Sequence, residues 1–402
     1  MIDVERTIVP KSKFKTIRLG DIVEDLQAGF ACGKFELDEG DFAHLRPMNI
    51  DYDCKLTWKG TKYIAKDFFE ERKNYSLKKG DILFNNTNST ELVGKSCYIK
   101  EDIDCGFSNH MTRIRVDRNK VDSIYLSNLL YGMWMQKILE SYCHKWVGQS
   151  GINTEILSNI PIIIPPLKEQ QQIASLFQSI ETAIEQVEGQ EGNLKALQKT
   201  LSNGLVSNPP IFGNLLTAKN CKSCSFGDIV SCMEQHDKKP LENGISRFVG
   251  LENIEPGNFN LQGYGNIENG TTFSKIFSTG DVLFGKRRAY LKKIAIADFD
   301  GICSGDILVL RAKEKVMLPE LLPYYASSEA FIQKAINTSA GSLSPRTKWK
   351  DLATFEVAIP DIKTQEKIVG MFNQLRESLN LLTQQKETLK KLKQKLLNEI
   401  LE

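Results

Sequence analysis

The sequence has no apolar run long enough to span a membrane. About 18 consecutive apolar residues are needed to cross a bilayer, and no stretch of the 402 residues approaches that length. The first sixteen residues also lack the apolar core of a secretory signal peptide. The sequence therefore predicts neither a membrane protein nor a secreted one, and we expect a cytoplasmic location.

Residues typical of catalytic sites are also scarce. The four histidines, at positions 44, 110, 144 and 236, are scattered, and neither HExxH nor GxSxG occurs. Asn208-Pro209-Pro210 is similar to an adenine-methylase catalytic loop, but Ile211 stands where the aromatic residue should follow. The net charge of +2 neither favours nor excludes a nucleic-acid partner, because one basic face can be compensated elsewhere. We therefore predict that the chain is not an enzyme.

What the sequence does contain is an internal repeat. Three short motifs recur in the same order in the two halves, separated by loops of slightly different length. They are Gly20-Asp21-Ile22-Val23 with Gly227-Asp228-Ile229-Val230, Asn49-Ile50-Asp51 with Asn253-Ile254-Glu255, and Gly80-Asp81-Ile82-Leu83-Phe84 with Gly280-Asp281-Val282-Leu283-Phe284. An ordered repeat of this kind predicts two copies of one structural module.

Each half ends in a long pattern of apolar residues at steps of four and three, which is typical of a coiled-coil seam. Prolines 165, 166 and 360 precede the two patterns, at positions where proline can start a helix. We predict long helices at 167–206 and 362–402 that pair as an antiparallel coiled coil. The alternative is that each helix packs on its own domain. The predicted seam consists of Ile173, Phe177, Ile180, Ile184, Val187, Leu194, Ile368, Phe372, Leu375, Leu379, Leu382 and Leu389.

The segments before these helices, 1–166 and 207–361, are predicted to be recognition domains of mixed α/β (α+β) structure. Short runs such as 81–84, 112–116 and 307–310 are bounded by glycine or polar clusters, as strands are. The predicted fold is thus a tandem pseudo-repeat of an α/β domain followed by a long helix.

The two copies differ most directly after the repeated Gly-Asp-aliphatic-aliphatic-Phe strand. The second copy continues with five cations and one aromatic residue, which suit phosphate contacts, and the first continues with amides, which can read adenine. The alternative is an ordinary solvated surface. The candidate DNA-binding residues are Asn85, Asn86, Asn88, Lys95, His110, Arg113, Lys286, Arg287, Arg288, Tyr290, Lys292 and Lys293.

The nine cysteines are odd in number and spread along the chain, which predicts reduced thiols. Cys221, Cys224, Cys232 and His236 could supply four zinc ligands, but only one CxxC pair is present. The repeat aligns Cys221 and Cys224 with the apolar positions 14 and 17, which favours buried hydrophobic roles. We therefore expect no metal site.

Taken together, the chain resembles the specificity subunit of a type I restriction-modification system. The resemblance is carried by residues 280–293 and 299–306, and by the segment 162–170 that leads into the first helix. The segment 358–365 is the repeat of 162–170. It extends over nearly the whole chain. It implies two target recognition domains that each read one half of a bipartite double-stranded DNA site, with the paired helices setting the spacer.

The resemblance also implies partners. Two DNA adenine methyltransferase subunits would dock on the chain, and ATP-dependent restriction subunits could join them. S-adenosylmethionine, ATP and magnesium would be bound by those partners, so we expect no cofactor in this chain. The alternative function is a scaffold that recruits methyltransferases without strong sequence selection.

Overall fold

The computed structural model describes residues 14–217 and 220–401. The first sixteen residues, for which the sequence predicts no signal peptide, therefore lie mostly outside the described residues. The chain forms two compact units, Met1–Gln186 with Lys386–Glu402, and Val187–Gln385. Each long helix thus contributes one half to each unit. Within the described ranges, no helix combines the length and the apolarity that crossing a membrane would require.

The first unit is built on small sheets around a central antiparallel sheet of order β2-β10-β6-β8. The strands are β1 (Lys15–Arg18), β2 (Val23–Ala28), β3 (Glu36–Leu37), β4 (Phe42–Leu45), β5 (Lys62–Ile64), β6 (Ile82–Asn85), β7 (Thr87–Asn88), β8 (Ser96–Tyr98), β9 (Cys105–Phe107), β10 (Met111–Val116), β11 (His144–Trp146), β12 (Gln149–Gly151) and β13 (Pro161–Ile164). The helices are α1 (Lys66–Glu70), α2 (Ser123–Met135), α3 (Thr154–Asn159) and α4 (Leu167–Val206).

The second unit repeats this plan, with a central antiparallel sheet of order β15-β22-β19-β20. Its strands are β14 (Cys221–Ser225), β15 (Val230–Met233), β16 (Arg247–Val249), β17 (Gly265–Asn266), β18 (Lys275–Phe277), β19 (Val282–Gly285), β20 (Ile294–Ile296), β21 (Gly301–Cys303), β22 (Ile307–Ala312) and β23 (Glu356–Pro360). Its helices are α5 (Phe226–Ile229), α6 (Leu322–Ala326), α7 (Glu329–Asn337), α8 (Trp349–Leu352) and α9 (Ile362–Leu401).

The repeated strands β6 and β19 are buried on both faces, which explains their continuous apolar sequence. In β6, Ile82 and Phe84 pack with helix α2, while Leu83 belongs to a separate cluster on the other face. In β19, Val282 and Leu283 divide between two clusters in the same way. Alternate residues of a strand face opposite sides, so each strand joins two layers of core.

The repeated Gly-Asp motif forms the turn before these strands. Gly80 and Gly280 have positive φ angles of 100° and 89°, which a side chain would disfavour. The Asp81 carboxylate accepts bonds from the Arg115 guanidinium at 2.8 and 2.7 Å. Asp281 is bound in the same way by Arg311 at 2.6 and 2.7 Å. Each motif therefore fixes one central strand to its neighbour through a bidentate ion pair.

A buried glutamine fastens the start of each long helix. Gln365 donates to the carbonyls of Pro360 and Val316, both at 2.8 Å, and accepts from the Leu318 amide at 2.9 Å. Gln170 donates to the Pro165 carbonyl at 2.8 Å and accepts from the Asp122 amide at 2.9 Å. The same side chain thus satisfies equivalent backbone groups in both units.

The long helices run antiparallel within each unit, as the sequence predicts. In the first unit, Phe177 near the start of α4 shares a core with Leu397 and Ile400 near the end of α9. In the second, Leu205 near the end of α4 packs with Phe372 near the start of α9. These helix ends also join the cores of their modules. The long helices therefore both pair with each other and pack on their own domains. Most of the remaining predicted seam positions are half-buried.

Candidate nucleic-acid interface

In the first unit, the segment after β6 is joined to an exposed hairpin. Strand β7 pairs with β12 of the hairpin β11–β12, with Gly151 opposite Thr87. The Ile152 amide also donates to the Asn86 carbonyl at 2.8 Å. We call residues 86–92 and 144–151 together the first tip.

The hairpin of the first tip presents apolar and polar groups to solvent together. Val147 at its turn is fully exposed, with 104% of its reference surface accessible, and Trp146 beside it is 56% exposed. Lys145 and Gln149 are exposed as well. A fully exposed aliphatic side chain gains nothing in the isolated fold, so this surface suits a ligand that covers it.

The second unit carries an equivalent construction. The Thr347 amide donates to the Lys286 carbonyl at 3.1 Å, as Ile152 does to Asn86. Reciprocal backbone bonds of 3.0 Å between Ala340 and Arg346 close a loop whose residue Leu343 is 88% exposed. We call residues 286–293 and 340–346 together the second tip.

The cations of the second tip differ in how far they are neutralised. Arg346 binds Asp306 at 2.6 Å and lowers the pKa of that carboxyl group, and Arg287 lies 3.5 Å from the same carboxylate. Lys292 pairs with Glu329 at 2.7 Å. Within the described residues, neither Lys286 nor Arg288 has a carboxylate within 4 Å; Arg288 contacts the Leu343 carbonyl at 3.4 Å. Arg288 is exposed, and Lys286 is half-buried and acts on Asp306 and Glu234 from beyond 4 Å. These two charges are therefore less neutralised than those of Arg287, Lys292 and Arg346.

Four of the predicted DNA contacts in the first unit are buried. Asn85 donates to the Leu92 carbonyl at 2.9 Å, and Asn86 donates to Thr112 at 3.0 Å. Arg113, 4% exposed, binds Asp25 at 2.6 Å and the Asn74 carbonyl at 2.8 Å. Lys95 is 5% exposed, and burial lowers its pKa. Their assignment as direct contacts is therefore revised: Asn85, Asn86 and Lys95 hold the loop of the tip from inside, and Arg113 is bound within the central sheet.

The other predicted residues lie at or near the two tips. Asn88 and His110 are half-buried, and the His110 carbonyl accepts the Asn86 amide at 3.0 Å. Tyr290 is 52% exposed. Lys293 is committed to the Leu251 carbonyl at 2.5 Å. The structure thus gathers these residues into one site per unit, and their contacts with DNA remain predictions.

The sequence reasoning missed the second element of each tip, residues 144–151 and 340–346. A local signal was present in Val147-Gly148, where glycine adopts the positive φ of 79° that a tight hairpin turn needs. The pairing of β12 with β7 joins segments about 60 residues apart, and no local pattern reveals such a contact.

Each tip can therefore offer hydrogen-bonding groups or cations beside an exposed apolar side chain, which is a combination suited to a DNA groove. The family model of the type I restriction modification DNA specificity domain matches residues 11–195 and 232–391. The chain belongs to this family and carries two such domains in tandem. The resemblance to specificity subunits is thereby confirmed.

Curated relatives carry the same family description, and a solved structure has a similar fold. The chain is 24% identical, over 95% of its length and 91% of the relative's, to a Methanocaldococcus jannaschii protein named as the type I restriction enzyme MjaX specificity subunit. It is 26% identical, over 54% of its length and 55% of the relative's, to the EcoDI specificity subunit of Escherichia coli. The type I S subunit from M. genitalium has a similar fold, with a TM-score of 0.60 at 13% identity, covering 98% of this chain and 99% of that one.

Proposed function

We propose that this chain is the DNA-reading subunit of a type I restriction-modification complex, and that each tip reads one half of a bipartite site. The observation that carries the proposal is the shared construction of the two tips. Both join the loop after a doubly buried strand to a second loop with a highly exposed aliphatic residue. One tip presents amides and the other cations, so the two half-sites should differ.

The exposed aliphatic residues suit the apolar features of a groove. Val147 and Leu343 could contact thymine methyl groups or wedge against a base step. Asn88 and Gln149 would bond base edges, while Lys286 and Arg288 would bind phosphates. Phosphate contacts would fix the register of each domain, and the base-edge contacts would specify the sequence.

The partners belong to the same proposal. Two DNA adenine methyltransferase subunits would dock on the chain, and ATP-dependent restriction subunits could join. These partners would bind S-adenosylmethionine, ATP and magnesium, and this chain would transfer no methyl group. The described cysteines are free thiols, which fits a reducing cytoplasm.

The test is selection from random DNA with the chain assembled with its methyltransferase partners. A two-part motif with a fixed gap supports the proposal, whereas no enrichment favours the scaffold that lacks sequence selection. Asn88→Ala with Val147→Ser should alter only one half of the motif, and Arg288→Ala with Leu343→Ser only the other. If both pairs of variants change the same half, the assignment of one tip to each half-site is wrong.

A further inference from the structure

A cysteine, a glutamate and a histidine converge in the first unit, away from its tip. Of the residues that the structure describes, Cys32, Glu36 and His44 form the one group of three potential metal ligands whose donor atoms all lie within 4.8 Å of one another. The Cys32 thiol and the His44 imidazole are 6% and 2% exposed. Glu36 is half-buried, with 31% of its side chain accessible. The cluster is thus shielded on one side and open on the other.

The separations match those between ligands of one tetrahedral ion. Cys32 Sγ lies 3.3 Å from His44 Nδ1 and 3.9 Å from Glu36 Oε2. Zinc binds sulfur at about 2.3 Å and nitrogen or oxygen at about 2.0–2.2 Å, which places tetrahedral ligand atoms about 3.5 Å apart. Shifts of a few tenths of an ångström would bring the two separations that involve Cys32 to this spacing, and the Glu36 and His44 donor atoms lie within 4.8 Å of each other.

The groups behind the ligands have the arrangement of an outer coordination shell. His44 Nε2 lies 3.1 Å from the Phe30 carbonyl oxygen. A carbonyl only accepts, so Nε2 carries the hydrogen and Nδ1 presents its lone pair to Cys32. A backbone carbonyl that fixes the histidine tautomer in this way is usual at metal sites. The second carboxylate oxygen of Glu36 lies 3.7 Å from Arg46, which orients the group.

We propose that Cys32, Glu36 and His44 bind one divalent transition-metal ion, with zinc as the preferred ion. Thiolate and imidazole ligands suit zinc, whereas magnesium and calcium prefer oxygen. Binding would displace the thiol proton of Cys32 to solvent, and a water molecule on the exposed side would complete the tetrahedron. No local pattern in the sequence indicates this site, because His44 has no partner at a recognised metal-ligand spacing.

The ion would fasten the segment between β2 and β4 to the support of the first tip. The Leu45 carbonyl, one residue after His44, accepts the Ser108 amide at 2.8 Å. The turn that follows Ser108 contains His110, whose carbonyl holds the Asn86 amide. The site therefore lies two backbone hydrogen bonds away from the first tip and would act as a structural clamp.

Among the described residues of the second unit, no such trio lies at the equivalent place. The Ser304 amide donates to the Val249 carbonyl at 3.0 Å, as Ser108 does to Leu45. This equivalence aligns His44 with Phe248, whose side chain cannot bind a metal. One ion per chain is the expected stoichiometry.

The experiment measures metal on the purified full chain. The protein is stripped with a chelator, reloaded with excess zinc, dialysed and analysed by elemental mass spectrometry. We expect about one zinc per chain. Loading with cobalt(II) should give the sulfur-to-cobalt charge-transfer band and the intense visible bands of a tetrahedral thiolate site. A folded chain that retains no metal above the buffer background overturns the proposal and leaves a thiol–imidazole hydrogen bond.

The variants locate the site. Cys32→Ser, which keeps a hydroxyl beside His44, should abolish zinc retention and the charge-transfer band. Glu36→Gln, at a half-buried position that the fold tolerates, should keep the band but weaken zinc binding by at least about tenfold. The matched control is Cys221→Ser with Cys224→Ser, the CxxC pair on β14, which should retain the full zinc content. Loss of zinc in the control but not in Cys32→Ser would overturn the assignment.

Discussion

The salt dependence of DNA binding tests the second tip most directly. Lys286→Ala with Arg288→Ala removes two tip cations that have no carboxylate within 4 Å among the described residues, while the third, Lys293, donates to the Leu251 carbonyl. Each phosphate contact contributes about 0.9 to the slope of log K against log salt concentration. Losing two contacts should lower the slope by about 1.8. Between 50 and 200 mM salt, the wild type should therefore lose about 12-fold more affinity than the variant does.

The assay is fluorescence anisotropy on a labelled duplex, with the chain assembled with its methyltransferase subunits, at four or more salt concentrations. Lys292→Ala is the matched control, because its ammonium group is already paired with Glu329 at 2.7 Å. This control should change the slope by less than half a unit. An unchanged slope in the double variant, with folding intact, would remove the second tip from the phosphate backbone and refute the reasoning.

Three further predictions concern the frame, by which we mean the central sheets and long helices that carry the tips, the pH dependence of stability, and the first tip. Gln365→Leu breaks three buried hydrogen bonds and should destabilise the second unit by about 3 kcal/mol in urea unfolding, whereas Gln172→Leu, on the exposed face of α4, should stay within about 0.5 kcal/mol. Arg346 lowers the pKa of Asp306 below its ordinary 3.8, so this pair should stabilise the fold fully above pH 3.8 and lose its contribution as the pH falls towards the lowered pKa. The free energy of unfolding, measured from pH 7 to 3, should therefore vary less with pH in Asp306→Asn than in the wild type. Val147→Ser should reduce retention of the selected motif without changing the salt slope, because it removes an apolar contact and no charge.

The frame was largely predictable because its signals are local and periodic. The steps of four and three through Ile173 and Phe177 fix which face of α4 is apolar, and the repeat in α9 supplies a partner of the same kind. The repeated Gly80-Asp81 motif indicates a turn before a buried strand. The bidentate pairing of Asp81 with Arg115 was not predictable, since it depends on which strands lie side by side.

The candidate site was less predictable because it, too, depends on which strands lie side by side. Asn85 and Asn86 have the composition of a reading loop, but the Asn85 amide donates to the Leu92 carbonyl of the same loop and the Asn86 amide to the Asn109 carbonyl of the turn before β10. Arg113 belongs to β10, and its place between β2 and β6 buries it against Asp25. Only long-range pairing separates the residues that face outward from those that hold the loop in shape.

The contrast between frame and tip explains how one duplicated fold could read two different sequences. Residues of the frame are tied to specific partners, as Asp81 and Asp281 are, and changing the arginine that pairs with either would leave a buried carboxylate unpaired. Thr87 and Arg287 occupy equivalent tip positions, opposite Gly151 and Arg346, and both pairs are made by backbone groups. Arg287 and Arg346 additionally share the Asp306 carboxylate. Backbone pairing places few demands on the side chain, so tip residues can change while the fold persists. If each tip reads one half-site, as proposed, a change of DNA sequence would require new side chains at the tip and no change in the frame that carries it.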